Sequence, residues 1–269
     1  MSDQVGLVVT DLDGTLWDAQ ERIHDRTLDA LRTLERRQTP LLVATGRRRR
    51  SAASGLAREG LAPPAVVLDG ALGVDLSTGR VFHEAAFDPP DAVVVIDILA
   101  SLGLSPCLQV FRDDADVVAG PDPSTNPRHV ELIGERLARD DVRRVAAGET
   151  VLGFTIAGRP PQLLGGVVAA IANVADAVVT RDLFYGGATL TVRPKGVSKW
   201  EGVLAYCTDQ GIDPGGVLAL GDGENDLELL GGAAVACVVS DGCEQALALA
   251  DHVIGPASEG GWCAVLDHC

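Results

Sequence analysis

The first residues of chemical interest are two aspartates near the start of the chain. Asp11 and Asp13 lie in the stretch TDLDGTL, directly after the apolar run VGLVV at residues 5–9. If the backbone stays extended there, side chains two residues apart point to the same side, so the two carboxylates crowd each other. Like charges in close proximity disfavour ionisation. A positive group must therefore offset the repulsion between them.

Further polar residues follow two other apolar runs. Thr45-Gly46-Arg47 follows the run at 40–44, and Gly221-Asp222-Gly223-Glu224-Asn225-Asp226 follows the run at 217–220. In open α/β sheets, ligands bind just beyond the carboxyl ends of the strands. We therefore expect four acids, one hydroxyl and one lysine to converge: Asp11, Asp13, Asp222, Asp226, Thr45 and Lys199.

Four carboxylates in one place indicate a site for a hard cation. They are stable together only when neutralised, and an all-oxygen ligand set suits Mg²⁺. With Mg²⁺ bound, the site attracts a phosphate, helped by Lys199, the Thr45 hydroxyl and free backbone N–H groups of the glycine-containing loops. Asp11 is then free to attack phosphorus. Hydrolysis of the resulting acyl phosphate needs a second acid–base group, and Asp13 is the nearest one.

Continuous apolar runs predict the strands that position these residues. The runs at 5–9, 40–44, 65–68 and 217–220 read as buried parallel strands. Between the first two, Asp25 is expected to cap a helix with Leu28, Leu31 and Leu34 on its buried face. Strand, helix and strand of these lengths imply a right-handed crossover. We therefore predict an α/β fold with a Rossmann-like, doubly wound parallel sheet.

The sequence pattern changes in the middle of the chain, which indicates an inserted domain. A Pro-Pro break at 89–90 opens a helix-like segment, and a strand-like VLGFTIAG (151–158) and a helix-like PQLLGGVVAAIANVA (161–175) follow. From about Ser198 to Gln210 the chain returns to the earlier pattern with a helix. We therefore predict a catalytic core of residues 1–85 and 188–269, and an inserted α+β domain at 86–187.

Composition narrows the class of protein. The chain has 269 residues, 46% of them hydrophobic, and a formal net charge of −16. Such a charge disfavours general binding to nucleic acid or to anionic membranes. No apolar run approaches the roughly 20 residues that span a bilayer, and no signal-peptide pattern is present. The six cysteines lack a C-x-x-C pair and are expected to be reduced thiols. We expect a cytoplasmic protein.

Taken together, the motifs resemble those of the haloacid dehalogenase superfamily of phosphatases. The resemblance is to the Cof-type subfamily, which carries a type IIB (C2B) cap between its second and third motifs. The four motifs are matched in order by DLDGTL (11–16), VATGR (43–47), PKGVSKW (194–200) and GDGENDLEL (221–229). The chain departs from the family at Asp69, where Asn is common, and at Thr191, where an acid is common.

The resemblance implies a role for each matched residue. Asp11 would be the nucleophile and Asp13 the general acid and base, while Thr45 and Lys199 would hold the transferring phosphoryl group. The implied phosphate-binding set is Asp11, Leu12, Asp13, Thr45, Gly46, Arg47, Lys199 and Asn225. The implied Mg²⁺ ligands are Asp11, the backbone carbonyl of Asp13, Asp222, and Asp226 either directly or through water.

Several residues keep a structural alternative. The run Arg47–Arg50 is expected to be mainly a solvated helical turn, with Arg47 alone facing the substrate. Trp17 is either packing or a wall beside the leaving group, and both remain open. In the insert, Arg112, Asp113 and His129 are candidates for substrate specificity.

These features predict a magnesium-dependent phosphomonoester hydrolase with an aspartyl-phosphate intermediate. Its expected partner is a small phosphorylated metabolite, because a large cap excludes macromolecules. The expected class of metabolite is a sugar phosphate. The alternatives are a phosphomutase of the same superfamily and a regulatory protein that binds phosphate without turnover.

Overall fold

The computed structural model describes residues 5–182 and 184–269. The chain forms two compact units. One unit comprises residues 5–84 together with 198–269, and the other comprises Ala85–Val197. The second unit is therefore inserted into the first along the chain.

The strands occur in both units. In chain order they are β1 Leu7–Thr10, β2 Leu41–Ala44, β3 Pro64–Val67, β4 Leu72–Asp75, β5 Val81–Glu84, β6 Cys107–Val110, β7 Val117–Ala119, β8 Leu137–Arg139, β9 Val151–Arg159, β10 Ala175–Arg181, β11 Ala188–Pro194, β12 Val217–Gly221, β13 Val235–Val239 and β14 His252–Ile254.

The helices alternate with these strands. In chain order they are α1 Asp25–Arg37, α2 Arg49–Ala57, α3 Pro89–Ser101, α4 Pro127–Ile133, α5 Val142–Gly148, α6 Pro161–Leu164, α7 Val167–Ile171, α8 Lys199–Gln210, α9 Leu227–Gly232 and α10 Glu244–Leu247. Within the described residues, none of these helices is long and apolar enough to cross a bilayer.

The first unit is built on one sheet with the strand order β14-β13-β12-β1-β2-β3-β4-β5. Neighbours from β14 to β3 are parallel, and β4 and β5 extend the sheet antiparallel. β1 and β12 are buried along their whole length, which explains why they are apolar without alternation. The predicted α/β fold class is confirmed. The order along the chain reverses between β1 and β12, so residues after these two strands lie at a topological switch point.

Helix α1 differs from the prediction at its first residue. The N-cap is His24, whose Nδ1 accepts a hydrogen bond from the backbone N–H of Arg26 at 3.1 Å. Asp25 is instead the first helical residue, where its charge is favourable near the positive end of the helix dipole. Leu31 and Leu34 are buried as expected, whereas Leu28 is only half-buried. The prediction that Asp25 caps this helix was wrong.

The inserted unit has its own sheet and its own core. Its strand order is β10-β11-β9-β6-β7-β8 among the described residues. Phe87 and Phe154 pack edge to face in its core, with ring centroids 5.1 Å apart. β11 pairs antiparallel with both β9 and β10. Residues 188–197 therefore lie in the insert, and the predicted boundary at 187 was ten residues too early, because a single strand read alone does not reveal its partners.

Two other segments differ from their predicted form. The helix-like stretch at 161–175 forms α6 and α7, which are separated at Gly165-Gly166, and its last residue begins β10. Glycines lower helix stability, which accounts for the break. The stretch GWCAVLDH at 261–268, whose apolar pattern is helix-like, forms a 3₁₀ helix over Gly261–Asp267. All six cysteines are free thiols, as expected.

Candidate active site

A fully buried lysine lies between two carboxylates in the first unit. Lys199 Nζ donates to Asp11 Oδ1 at 2.6 Å and to Asp226 Oδ1 at 2.7 Å. Asp11 follows β1, and Lys199 is the first residue of α8. Burial by itself would lower the pKa of Lys199, but the charges of Asp11 and Asp226 outweigh burial and raise this pKa above its ordinary value. The lysine is therefore a permanent cation.

The start of α8 is held in place by two features. Ser198 caps the helix, and its Oγ accepts from the backbone N–H of Glu201 at 3.2 Å. Gly70 lies so close that a Cβ there would be 2.0 Å from the Ser198 carbonyl oxygen. Gly70 also has a φ of +111°, a conformation that side chains rarely adopt. The loop after β3 thus packs directly against the residue that precedes Lys199.

In the loop after β12, the side chain of Asp226 accepts hydrogen bonds from the start of the same loop. Asp226 Oδ2 accepts from the backbone N–H groups of Asp222 and Gly223, both at 3.0 Å. Gly221 leaves no room for a side chain, because a Cβ there would be 2.7 Å from Asp226 Cγ. This turn places Asp226 fully inside the protein, with one carboxylate oxygen for the loop and the other for Lys199.

Three of the four predicted acids form a compact cluster. One carboxylate oxygen from each of Asp11, Asp222 and Asp226 lies within 4.8 Å of the others. Burial raises the pKa of Asp11 well above its ordinary value, against the opposing effect of Lys199, with Asp226 and Asp222 adding repulsion. Burial, followed by the charge of Asp226, raises the pKa of Asp222 to about 7. Three carboxylates against one ammonium leave an excess of about two negative charges when all are ionised.

This cluster fits a divalent metal ion. Its donors are all carboxylate oxygens, which are the ligands that Mg²⁺ prefers. Burial and mutual repulsion raise the pKa values of Asp11 and Asp222, and a bound cation would offset both effects. Thr15 Oγ1 donates to Asp222 Oδ1 at 3.1 Å and so orients this candidate ligand.

The metal-free protein is therefore expected to lose stability as pH rises. The folded-state pKa of Asp222 is about 7 against an ordinary 3.8, so the folded state binds this proton more tightly than the unfolded state. The free energy of unfolding should then fall between about pH 4 and pH 7, by up to roughly 4 kcal/mol from this group. Mg²⁺ should stabilise the protein more at pH 8 than at pH 5, because it binds ionised acids. Thermal unfolding with EDTA or Mg²⁺ at both pH values measures this. Asp222→Asn should reduce the change of unfolding temperature with pH. Equal stabilisation by Mg²⁺ at both pH values would contradict the prediction.

The side chain of Asp13 forms its hydrogen bonds outside the acid cluster. Arg47 holds it with two hydrogen bonds, Nε to Oδ2 at 2.7 Å and Nη2 to Oδ1 at 2.5 Å. Trp17 Nε1 also donates to Oδ1, at 3.0 Å. Burial by itself would lower the pKa of Arg47, but Asp13 and then Glu21 outweigh it and raise this pKa. The expectation that four carboxylates converge was thus correct for three of them, since the turn after Asp11 directs Asp13 towards Arg47.

The loops after β2, β3 and β12 are joined by hydrogen bonds through Asp69. Its backbone N–H donates to the Thr45 carbonyl at 3.1 Å, and its Oδ1 accepts from Asn225 Nδ2 at 2.9 Å. A Cβ at Gly46 would lie 2.9 Å from the same Oδ1, so the loop requires a glycine there. Thr45 is buried, and its Oγ1 accepts from the Arg47 backbone N–H at 3.2 Å. Asp69 therefore connects the three loops.

The remaining predicted residues are also placed. Leu12 is fully buried, and its carbonyl accepts from the backbone N–H groups of Leu16 and Trp17. In the insert, Arg112 Nε donates to Glu149 Oε2 at 2.6 Å, and Asp113 is exposed. His129 is buried and hydrogen-bonded to Thr125 Oγ1 at 3.0 Å.

Sequence reasoning missed several residues of the site. Thr15 lies within the first motif, and its position beside two acids was a usable signal. Glu21 binds Arg47 Nη1 at 2.5 Å, and nothing in its local sequence distinguishes it from a surface acid. One unused signal was composition: the chain holds 22 basic residues, of which only Lys195 and Lys199 are lysines. Lys199 places a compact ammonium between two buried carboxylates in a chain whose basic residues are otherwise almost all arginine.

Comparison with known proteins shows the family. The sequence profile of the haloacid dehalogenase-like hydrolases matches residues 8–266. The phosphoglycolate phosphatase of Methanopyrus kandleri is 28% identical over 92% of this chain and 90% of its own length. The HMP-PP phosphatase of Enterobacter sp. strain 638 is 26% identical over 92% of this chain and 88% of its own length.

Two further matches are to a longer protein and to a solved structure. The chloroplastic endoribonuclease YBEY of Arabidopsis thaliana is 27% identical over 94% of this chain, but the chain spans only 44% of that longer protein. A solved subclass IIB sugar phosphatase superposes with a TM-score of 0.77 at 21% identity, covering 97% of this chain and 98% of that one. At this identity the superposition shows the shared fold.

The chain belongs to the haloacid dehalogenase-like hydrolase family. The predicted resemblance and the predicted class of enzyme, a phosphatase, are confirmed.

Proposed function

We propose that this phosphatase hydrolyses small phosphomonoesters through an aspartyl-phosphate on Asp11. The observation that carries the proposal is the buried arrangement of Asp11, Lys199 and Asp226, with Nζ to oxygen distances of 2.6 and 2.7 Å. A buried lysine fixes one oxygen of the Asp11 carboxylate, which leaves the other oxygen for attack on phosphorus. The electron pair of that oxygen forms the new O–P bond, and the leaving oxygen departs with the electrons of the broken P–O bond.

Asp13 is the proposed proton carrier for both half-reactions. In the first it donates a proton to the leaving oxygen, and in the second its carboxylate takes a proton from the water that attacks the aspartyl-phosphate. Its side chain is 53% exposed, so it is accessible to a substrate and to water. Thr45 and Lys199 are the proposed contacts of the transferring phosphoryl group, and Leu12, Gly46, Arg47 and Asn225 complete the proposed phosphate-binding set.

Mg²⁺ is the proposed metal ion, with Asp11, the Asp13 carbonyl, Asp222 and Asp226 as ligands. When bound, it would neutralise charge that develops on the phosphoryl oxygens. Thr15 and the backbone N–H groups of the loop after β12 orient the acids for this task. The excess negative charge of the cluster supports a divalent rather than a monovalent ion.

A sugar phosphate or a related hydroxyl-rich metabolite is the proposed substrate. The name of the sugar phosphatase neighbour and the small-molecule substrates in the names of the two phosphatase relatives support this class. The inserted unit, Ala85–Val197, is the proposed cap that selects among such substrates. The free cysteine thiols and the acidic charge support a cytoplasmic enzyme that binds neither nucleic acid nor membrane.

The direct test is phosphate release from p-nitrophenyl phosphate and from a panel of phosphorylated metabolites. Release should require Mg²⁺, stop with EDTA and return when Mg²⁺ is restored. One group of sugar phosphates should exceed the others in kcat/KM. Tight binding of a phosphorylated metabolite without release from any compound would contradict the proposal and favour a regulatory phosphate-binding protein, whereas isomerised sugar phosphate without release would favour a phosphomutase.

Replacement of Asp13 by alanine should lower kcat for metabolite phosphates by about 10²-fold to 10⁴-fold, the usual contribution of a general acid or base. The carboxylate is the only proton carrier proposed near the leaving oxygen, so its removal slows both half-reactions. Steady-state release of phosphate measures the loss. A variant that turned over at the parent rate would overturn the acid–base assignment.

A further inference from the structure

A small group of side chains is linked to the carboxylate of Asp13 by hydrogen bonds, either directly or through Arg47. It consists of Trp17, Glu21, Arg47 and Arg58, and we call it the Asp13 clamp. Trp17 is fully buried, and the guanidinium of Arg47 lies over its ring at 4.8 Å from the ring centroid. Trp17 itself fits because Gly55 in α2 has no side chain: a Cβ there would be 2.7 Å from Trp17 Cη2.

The hydrogen bonds of the clamp distinguish the two oxygens of Asp13. A carboxylate has about four lone-pair positions, two on each oxygen. Oδ1 accepts from both Trp17 Nε1 and Arg47 Nη2, so its positions are occupied. Oδ2 accepts only from Arg47 Nε among the described residues. One position on Oδ2 is therefore available for a proton.

Glu21 fixes the arginine that makes two of these bonds. Its Oε1 accepts from Arg47 Nη1 at 2.5 Å, and its Oε2 accepts from Arg58 Nη1 at 2.8 Å. Arg47 is thus held between two carboxylates, with Trp17 beneath its guanidinium plane. Without Glu21, Arg47 Nη1 would keep only Ser51 Oγ, at 3.4 Å, as a hydrogen-bond partner, so the guanidinium would be held less firmly against Asp13. Within the part of the chain that the structure describes, the side chains of Trp17 and Glu21 form no hydrogen bond with Asp11, Asp222 or Asp226.

We propose that Trp17 and Glu21 are positioning residues for acid–base catalysis, which leave Oδ2 of Asp13 as the atom that carries the transferred proton. The inference rests on the proposed function, in which Asp13 acts as the acid and base. As the P–O bond breaks, its electron pair stays on the leaving oxygen, which takes the proton from Asp13 Oδ2. Loss of either positioning residue would let the proton move to Oδ1 or let the carboxylate turn away, and small displacements of this kind are costly.

The test compares two aromatic substrates that differ in how much they need an acid. The p-nitrophenolate group leaves easily without a proton, whereas the more basic phenolate of phenyl phosphate depends on protonation. The variants are Trp17→Phe, which keeps a ring against Gly55 but has no N–H, and Glu21→Ala, which releases Arg47. The control is Arg22→Gln, because the exposed Arg22 side chain pairs with Asp18 in the same loop and, within the described residues, makes no hydrogen bond to the side chains of the clamp.

Both variants should lower kcat for phenyl phosphate about 10-fold and kcat for p-nitrophenyl phosphate less than about 2-fold, as part of a general-acid contribution. Glu21→Gln retains an oxygen for Arg47 and should lie between Glu21→Ala and the parent. Arg22→Gln should match the parent with both substrates. Thermal unfolding of each variant identifies any loss of folded protein, and Glu21→Ala carries the test if Trp17→Phe is unstable.

Equal losses with the two substrates, or no loss with either, would overturn the inference and leave the proposed function intact. A parent enzyme that released phosphate neither from these two substrates nor from any metabolite of the panel would overturn both. Phosphate release by the parent enzyme therefore distinguishes failure of the inference from failure of the proposed function.

Discussion

Replacement of Asp11 by asparagine is expected to lower kcat for p-nitrophenyl phosphate by at least about 10³-fold, the scale seen when a nucleophile is removed. An amide is a poor nucleophile and cannot form the acyl phosphate. Its oxygen can still accept the hydrogen bond that Lys199 Nζ donates at 2.6 Å, so the site is expected to keep its shape. Phosphate release in the presence of Mg²⁺ measures the effect.

The same variant should be at least as stable as the parent in EDTA at pH 8. Burial raises the pKa of Asp11, so the ionised carboxylate opposes folding there, and asparagine removes that charge. Asp29→Asn is a matched control, because Asp29 forms an exposed pair with Arg32 on α1 and should change neither activity nor stability. A destabilised Asp11→Asn would mean that its inactivity reports unfolding, and a variant with a quarter of the parent rate would contradict the nucleophile assignment.

Replacement of Lys199 by methionine is expected to give the largest loss of stability. The change leaves Asp11 and Asp226 buried without their shared cation, and breaking a buried ion pair typically costs about 3–5 kcal/mol. Methionine has a similar length, so the loss reflects charge rather than volume. The free energy of unfolding by urea in EDTA at pH 8 measures it. Turnover should fall as well, because the proposed contact with the phosphoryl group is lost.

The cost of this substitution should depend on pH and on metal. The folded-state pKa of Lys199 is raised above its ordinary value of 10.5, so the lysine itself does not titrate between pH 5 and pH 8. Asp222 does, because its pKa is raised to about 7, and the pKa of Asp11 is raised in the same direction. Their protonation at pH 5 should reduce the penalty, and Mg²⁺ should reduce it at pH 8.

The other lysine of the chain provides the control. Lys195 is exposed and donates to the carbonyl of Ala172 in the inserted unit, so Lys195→Met should change stability little. If Lys199→Met unfolded at the same urea concentration as the parent at pH 8 in EDTA, Lys199 would not be the compensating charge of the cluster.

The sequence by itself determined the strands and the residues that follow them. Apolar runs without alternation mark strands that are buried on both faces. The carboxyl ends of parallel strands share one edge of the sheet. From these two facts, the meeting of Asp11, Lys199, Asp222 and Asp226 could be expected. The roles of these residues in catalysis remain proposals.

Only the tertiary structure decided how each side chain is used. Asp11 and Asp13 are two residues apart, yet one pairs with Lys199 and the other with Arg47. The contact of Asp69 with Asn225 and the membership of β11 in the insert were equally hidden. Each of these depends on a partner far along the chain. Local pattern reports which residues prefer a strand, a turn or a buried face, whereas the choice among distant partners is made by packing and charge once the sheet has formed.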